Sequence, residues 1–325
     1  MQGNRMKALA LTVALAVCAG HAEAAIGPKA GRTILVHGKE VDLDAPLPAP
    51  PRTLPDGHPL LRETALADDS QEFGGGLAPG FDTPERRAIH EAIVADAVAG
   101  VTPQASPVLF VMAGGTGSGK GFVRTRLEAT GEIPTRNRVL IDPDEFLEQL
   151  PEWQAFEDAG DGRAAEVLHE ESSMLAKRIR ALATKRRLDV VLDITLSDAD
   201  AARSLLEQFR AGGYEIRLFA VAADARVAAV QAADRARLSN RWVPWSVLLG
   251  AHRGLAAAFE GYARLVDRAS LFGNDGEEPR LLAESVARGG LRVLDGPSYR
   301  LWLESSRRIN PAATTLGEVY GRTPQ

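Results

Sequence analysis

The sequence predicts an α/β fold: a parallel sheet with helices on both faces. Three observations carry that prediction. Four short apolar runs, residues 108–112, 139–141, 190–192 and 216–221, alternate with longer helical stretches at 120–129, 164–185, 198–211 and 224–238. Strands separated by helices join through crossovers and run parallel, and strands apolar throughout are covered on both sides. A glycine-rich turn lies between the first of these strands and the helix after it. Finally, 325 residues at 45% hydrophobic and 25% charged supply a sizeable core for one or two domains.

In chain order, residues 1–24 read as a secretory signal peptide. Arg5 and Lys7 precede an apolar run over residues 8–19, and Ala22-Glu23-Ala24 gives a small-residue cleavage pattern before Ala25. The run is too short for a membrane span of about 20 residues, so no stable span is expected after cleavage. Export to the periplasm or medium follows, or a cytoplasmic location if Met6 or Met1 begins an uncleaved chain. Cys18, the single cysteine, falls in this segment, which excludes a disulfide framework or a zinc finger. Residues 25–80 read as a leader or linker: Pro46, Pro48, Pro50, Pro51, Pro55 and Pro59 favour an extended path, and Gly74-Gly75-Gly76 follows. Thr83-Pro84 then gives an N-cap and a proline at the first helical position, ahead of Ile89, Ile93 and Ala97 on one helix face ending at Gly100. The main domain is expected over residues 81–285, and residues 286–325 form a C-terminal extension of mixed pattern. A net charge of −5, a pI near 5.8 and 6% aromatics argue against nucleic acid as a partner.

Chemistry concentrates in VLFVMAGGTGSGKG, residues 108–121. A strand runs into Gly114, Gly115, Thr116, Gly117, Ser118 and Gly119, and Lys120 opens a helix. Backbone N–H groups of such a turn wrap phosphate oxygens, the helix N-terminus adds partial positive charge, and Lys120 reaches the outer phosphates. This is a P-loop, with G-x-x-x-x-G-K met by Gly114, Gly119 and Lys120. It departs in one place: Gly121 stands where a magnesium-binding Ser or Thr is usual.

Aspartates end the next two strands. In RVLIDPDEF, Asp144 can accept a proton from an attacking hydroxyl while Asp142 supports Mg2+, and either can instead cap the helix that follows. Asp193, in VVLDITLSD, reads as a second metal-supporting carboxylate, with Thr195 and Ser197 on the same edge. Beyond the fourth strand, Arg235 and Arg241 are candidates for charge stabilisation in phosphoryl transfer, whereas Arg226 reads as a solvated face. His169 lies in HEESS, which reads equally as a substrate-facing helix end or a hydrated face.

GGTGSGKG, IDPDEF, HEESS, VVLDITLSD and RWVP occur in the order and spacing of the zeta-toxin family of P-loop kinases, and residues 84–275 resemble it. The resemblance implies a parallel P-loop kinase sheet, ATP and Mg2+ as cofactors, and phosphorylation of a hydroxyl of UDP-N-acetylglucosamine. It also implies a nucleotide-sugar substrate and an antitoxin or immunity protein as partner. Carried over by position, Lys120 holds the ATP phosphates, Asp144 is the base, Arg235 and Arg241 stabilise the transferring group, and Glu171, Thr195 and Ser197 touch substrate. Gly121, Ile194 in place of the usual glycine, and Ser197 in place of an arginine in some members depart from the family pattern. Two alternatives stay open: a P-loop kinase of another substrate (nucleotide, antibiotic or polynucleotide end), and a catalytically reduced ATP-binding module.

Overall fold

The computed structural model describes residues 33–36, 39–62, 82–276, 278–286 and 290–321. The signal-peptide reading and the Gly74–Gly76 run lie outside them. The described chain begins with a short antiparallel pair, β1 (Thr33–Val36) and β2 (Lys39–Asp42), whose Ile34 and Val36 are buried. The proline-rich residues that follow have no regular secondary structure until a short 3-10 turn at Pro59–Leu61. In α1 (Pro84–Ala97), Thr83 caps the first turn by accepting the Arg86 N–H at 3.2 Å, and Ile93 and Val94 face the core.

The main sheet is organised around β3 (Val108–Ala113). Leu109, Val111 and Ala113 enter one core and Phe110 and Met112 another, the period of two that a strand imposes. β3 has parallel neighbours on both sides, β5 (Val190–Ile194) and β6 (Glu215–Ala222). β4 (Val139–Ile141) pairs outside β5 and β7 (Arg268–Gly273) outside β6, again parallel. β8 (Arg280–Val286) and β9 (Arg292–Val293) extend the sheet antiparallel, in the order β4-β5-β3-β6-β7-β8-β9. The expected parallel sheet is thus present, but as part of a mixed one.

Helices cover both faces. α2 (Lys120–Ala129) packs Val123 and Leu127 on the side of Phe110 and Met112. The larger core on the opposite side takes α1, α5 (Ala164–Arg186), α6 (Ala199–Ala211) and α8 (Trp245–Leu265), with Leu175, Phe209 and Phe259 fully buried. Two short helices, α3 (Pro143–Leu147) and α4 (Pro151–Ala159), lead into α5. α7 (Ala225–Ser239) precedes α8, and α9 (Gly296–Arg307) lies against it, with Trp302 edge-on to Phe259. Among the described residues no helix is long and apolar enough to cross a membrane.

Candidate functional site

In this topology the chain leaves β5 on one side of β3 and returns in β6 on the other. The crevice beyond the carboxyl ends of those strands is where open α/β sheets place ligands. The turn between β3 and α2 lies at that edge, and its Gly114 N–H donates to Ile194 O at the end of β5. Gly119 caps α2 in the left-handed region (φ 83°), where a β-carbon would also collide with the Asn274 side chain. Two side chains from remote elements hold the turn. Asn274 Nδ2 donates to Ser118 O at 3.0 Å, and His252 Nε2 lies 3.0 Å from Thr116 O. Burial pushes the His252 imidazole down to about 4, so the neutral ring donates its Nε2 hydrogen to that carbonyl at pH 7.

Lys120 Nζ donates to Gly114 O at 2.7 Å and stands 3.6 Å from Asp193 Oδ1. The other Asp193 oxygen lies 3.9 Å from Arg124 Nη1. Asp142 caps α3, its Oδ1 accepting the Asp144 N–H at 3.0 Å. Burial, then the negative charges of Asp193, Asp144 and Glu145, push its carboxyl up to about 7. Asp144 is left partly exposed, with Oδ2 3.9 Å from Arg241 Nη1, and Arg241 Nε is 3.6 Å from Glu148. Arg235 Nε and Nη2 are buried and have no hydrogen-bond partner among the described residues. Burial and the neighbouring Arg241 lower its affinity for a proton, while Asp144, Asp142 and Asp193 pull the other way.

Lys120, Asp142, Asp144, Asp193, Arg235 and Arg241 therefore meet in one electrostatic cluster. Among the described residues no three His, Cys, Asp or Glu side chains gather closely enough to form a metal cage by themselves. Asp142 and Asp193, which repel one another, suit a hard cation that keeps part of its water shell. Gly121 is exposed, faces open space and brings no oxygen from a side chain. Thr195 and Ser197 sit in the turn after β5, their hydroxyls 3.2 Å apart.

Two expectations are corrected. Glu171, expected at the substrate, is not open to one: its side chain is fully buried and both oxygens are engaged. Arg86 Nε and Nη2 donate to it at 2.5 and 2.6 Å, and His90 Nε2 lies at 2.6 Å, tying α1 to α5. Burial alone raises this carboxyl, yet His90 and Arg86 outweigh it and hold it at about 2. Arg226 is not a solvated arginine: it donates to Leu316 O at 3.0 Å and covers the Tyr320 ring at 4.8 Å. His169 is exposed. Arg124 and Glu148 join the cluster without a motif to mark them, although each lies one helical turn beyond a marked residue, Lys120 and Asp144. His252 and Asn274 have no local signal, since only the fold brings them to the turn.

Residues 92–280 match the family model described as zeta toxin. A curated relative, the calmodulin calcium-dependent NAD kinase of Arabidopsis thaliana, is 27% identical over 264 residues, 66% of this chain. The chain spans about half (49%) of that relative's length. Among solved structures, the AvrRxo1-ORF1:-ORF2 complex has a TM-score of 0.57 at 22% identity, covering 70% of this chain and 75% of that one. The same complex with ATP gives 0.56 at 21% identity, covering 72% and 75%. At these identities the structural likeness is one of fold.

Proposed function

This chain belongs to the zeta-toxin family, and we propose that it is an ATP-dependent phosphotransferase acting on a hydroxyl of a small nucleotide-bearing acceptor. The observation that carries the reading is Arg235. A buried guanidinium with two unpartnered N–H groups is costly, and it lies among the aspartates beside the P-loop. An anionic phosphoryl group entering the crevice satisfies those donors and, with Arg241, spreads its charge over two guanidinium groups.

In this reading the turn from Gly114 to Gly119 and Lys120 hold the ATP phosphates, and Asp144 takes the acceptor's hydroxyl proton. The acceptor oxygen bonds to the γ-phosphorus as its bond to the bridging oxygen of ADP breaks, and ADP leaves with that oxygen. Bound Mg2+ neutralises phosphate charge; Asp142 and Asp193 would hold it, with no hydroxyl from position 121.

The family resemblance puts UDP-N-acetylglucosamine first as acceptor. A dinucleotide acceptor is the second reading, favoured by the name of the Arabidopsis relative. Radiolabelled γ-phosphate and a panel of UDP-N-acetylglucosamine, NAD, a nucleoside, an aminoglycoside and a 5′-hydroxyl oligonucleotide test both. Label on either of the first two decides between them; label on another member of the panel reassigns the substrate. ATP bound with no transfer to any acceptor identifies a reduced nucleotide-binding module. The solved relatives are complexes with a second chain, which supports a cognate antitoxin or immunity protein here. We further propose export through residues 1–24 and action inside another cell, where ATP is plentiful. N-terminal sequencing after fractionation tests this: a new terminus at Ala25 outside the cytoplasm supports it, and an intact Met1 or Met6 in the cytosol contradicts it.

A further inference from the structure

The residues around Asp161 lie far along the chain from the phosphate turn, yet they gather the loop that carries Arg241. Asp161 is fully buried between α4 and α5. Its Oδ2 accepts the backbone N–H groups of Thr53 and Leu54, each at 2.9 Å, and its Oδ1 accepts Arg163 Nε at 2.9 Å. Arg163 Nη2 reaches on to Leu54 O at 2.7 Å, and Gly162 N–H donates to Pro51 O at 2.8 Å. The proline-rich segment is thereby strapped across the α4–α5 turn. The arginine loop is tied to the same place: Asn240 Nδ2 donates to Asp161 O at 2.8 Å, and Trp245 Nε1 to Pro48 O at 2.7 Å.

Gly162 is the point where the three parts touch. A β-carbon there would stand 2.7 Å from Pro51 Cδ, 2.8 Å from Pro50 Cβ and 2.8 Å from Trp242 Cδ1. Trp242 is the neighbour of Arg241 in the chain and is only 8% exposed. The strap lies outside the residues matched to the family, 92–280, while the arginine it supports lies inside them. A proline-rich segment suits this task, because its restricted backbone loses little entropy on being fixed.

We propose that Asp161 and Gly162, with the strap over residues 48–54, are positioning residues that fix the Asn240–Trp245 loop and so aim Arg241 at the transferring phosphoryl group. The proposal rests on the phosphotransferase reading for its kinetic consequence, but not for its structural one.

The full-length chain with Gly162→Ala tests it, alongside Asn240→Gly. The first inserts one methyl into the junction; the second removes the Asn240 side-chain bond while keeping a residue at home in the left-handed region (φ 55°). Both variants are expected to lower kcat about tenfold with ATP affinity within about twofold of the parent, since misplaced groups cost turnover before binding. In an Arg241→Ala background the same changes are expected to cost little more, a non-additivity that general destabilisation does not produce. Hydrogen exchange over residues 238–244 is expected to quicken in both variants whether or not an acceptor is known. Equal fractional losses with and without Arg241, or unchanged exchange in that loop, would overturn the proposal. If Gly162→Ala does not fold, Asn240→Gly alone decides. A parent that transfers no phosphoryl group defeats the functional reading and leaves the exchange result to judge the strap.

Discussion

At Gly121 the first turn of α2 faces open space, and a β-carbon placed there would meet no group from outside its own helix turn within 4 Å. Gly121→Ser should therefore fit without clash and gain stability, by up to about 1 kcal/mol, since glycine is a poor helix former. Thermal unfolding checks that part, and a lower Mg2+ requirement for turnover checks whether the added hydroxyl reaches the metal. The two neighbouring aspartates separate by role. Asp144 is partly exposed beside Arg241, whereas Asp142 is occupied with capping α3. Asp144→Asn should lower kcat by roughly 10²–10⁴ with ATP binding kept, the range general-base removal spans. Asp142→Asn keeps the cap and should instead raise the Mg2+ needed for half-maximal rate; the reverse pattern would exchange their roles. Most of this cluster was legible, because Asp142 and Asp144 follow an apolar strand, Asp193 lies near the end of another, and Lys120 closes the glycine-rich turn after a third. Glu171 was not, because a carboxylate inside a polar helix looks the same whether it meets a substrate or an arginine from another helix.

The Arg86–Glu171–His90 cluster joins α1 to α5. Removing one member of a buried ion cluster leaves its partners uncompensated, so Glu171→Gln should cost about 3 kcal/mol. The pH dependence has a definite sign. The folded carboxyl titrates at about 2, below its ordinary 4.5, so its stabilising contribution is complete above that ordinary value. It is lost as pH falls through about 2, and Glu171→Gln should flatten this acid limb in denaturant titrations. On the other edge of the crevice, α7 and the loop after it bring Arg235 and Arg241 to the aspartates. Alanine at either position should reduce kcat by about a thousandfold with a much smaller change in acceptor KM, because charge on the transferring group belongs to the transition state. Four strands and four helices between 108 and 239 were legible because each has one clear hydrophobic period, whereas α4, Pro151–Ala159, was not anticipated. α8 and the β7–β8 pair were not anticipated; β7 alternates buried with more open positions and follows a helix rich in alanine, where period alone marks no boundary.

Across the whole molecule, the segments flanking the family match converge on the arginine-bearing half. Leu47 N–H donates to Thr314 O and Gly317 N–H to Leu43 O, so the two flanks pair with each other. They also reach α7, where Val227 packs with Ile34 and Val36, and Tyr320 accepts the Ala225 N–H at 2.8 Å. None of this was legible in the sequence. It depends on contacts between opposite ends of the described chain, and only the prolines hinted that the leader would be extended. The phosphate turn and the order of the catalytic candidates, by contrast, are local patterns that survive without knowledge of the flanks. If this assembly moves a phosphoryl group from ATP to a hydroxyl, as proposed, the transfer is seen by following γ-labelled ATP with the full chain, Mg2+ and the acceptor panel, with Lys120→Ala in parallel. The expected outcome is a labelled phosphate ester on a nucleotide-bearing acceptor and a loss of at least about a hundredfold in the Lys120→Ala variant. Transfer at an undiminished rate by Lys120→Ala, or ATP bound by the parent with no ester formed on any acceptor, would contradict it.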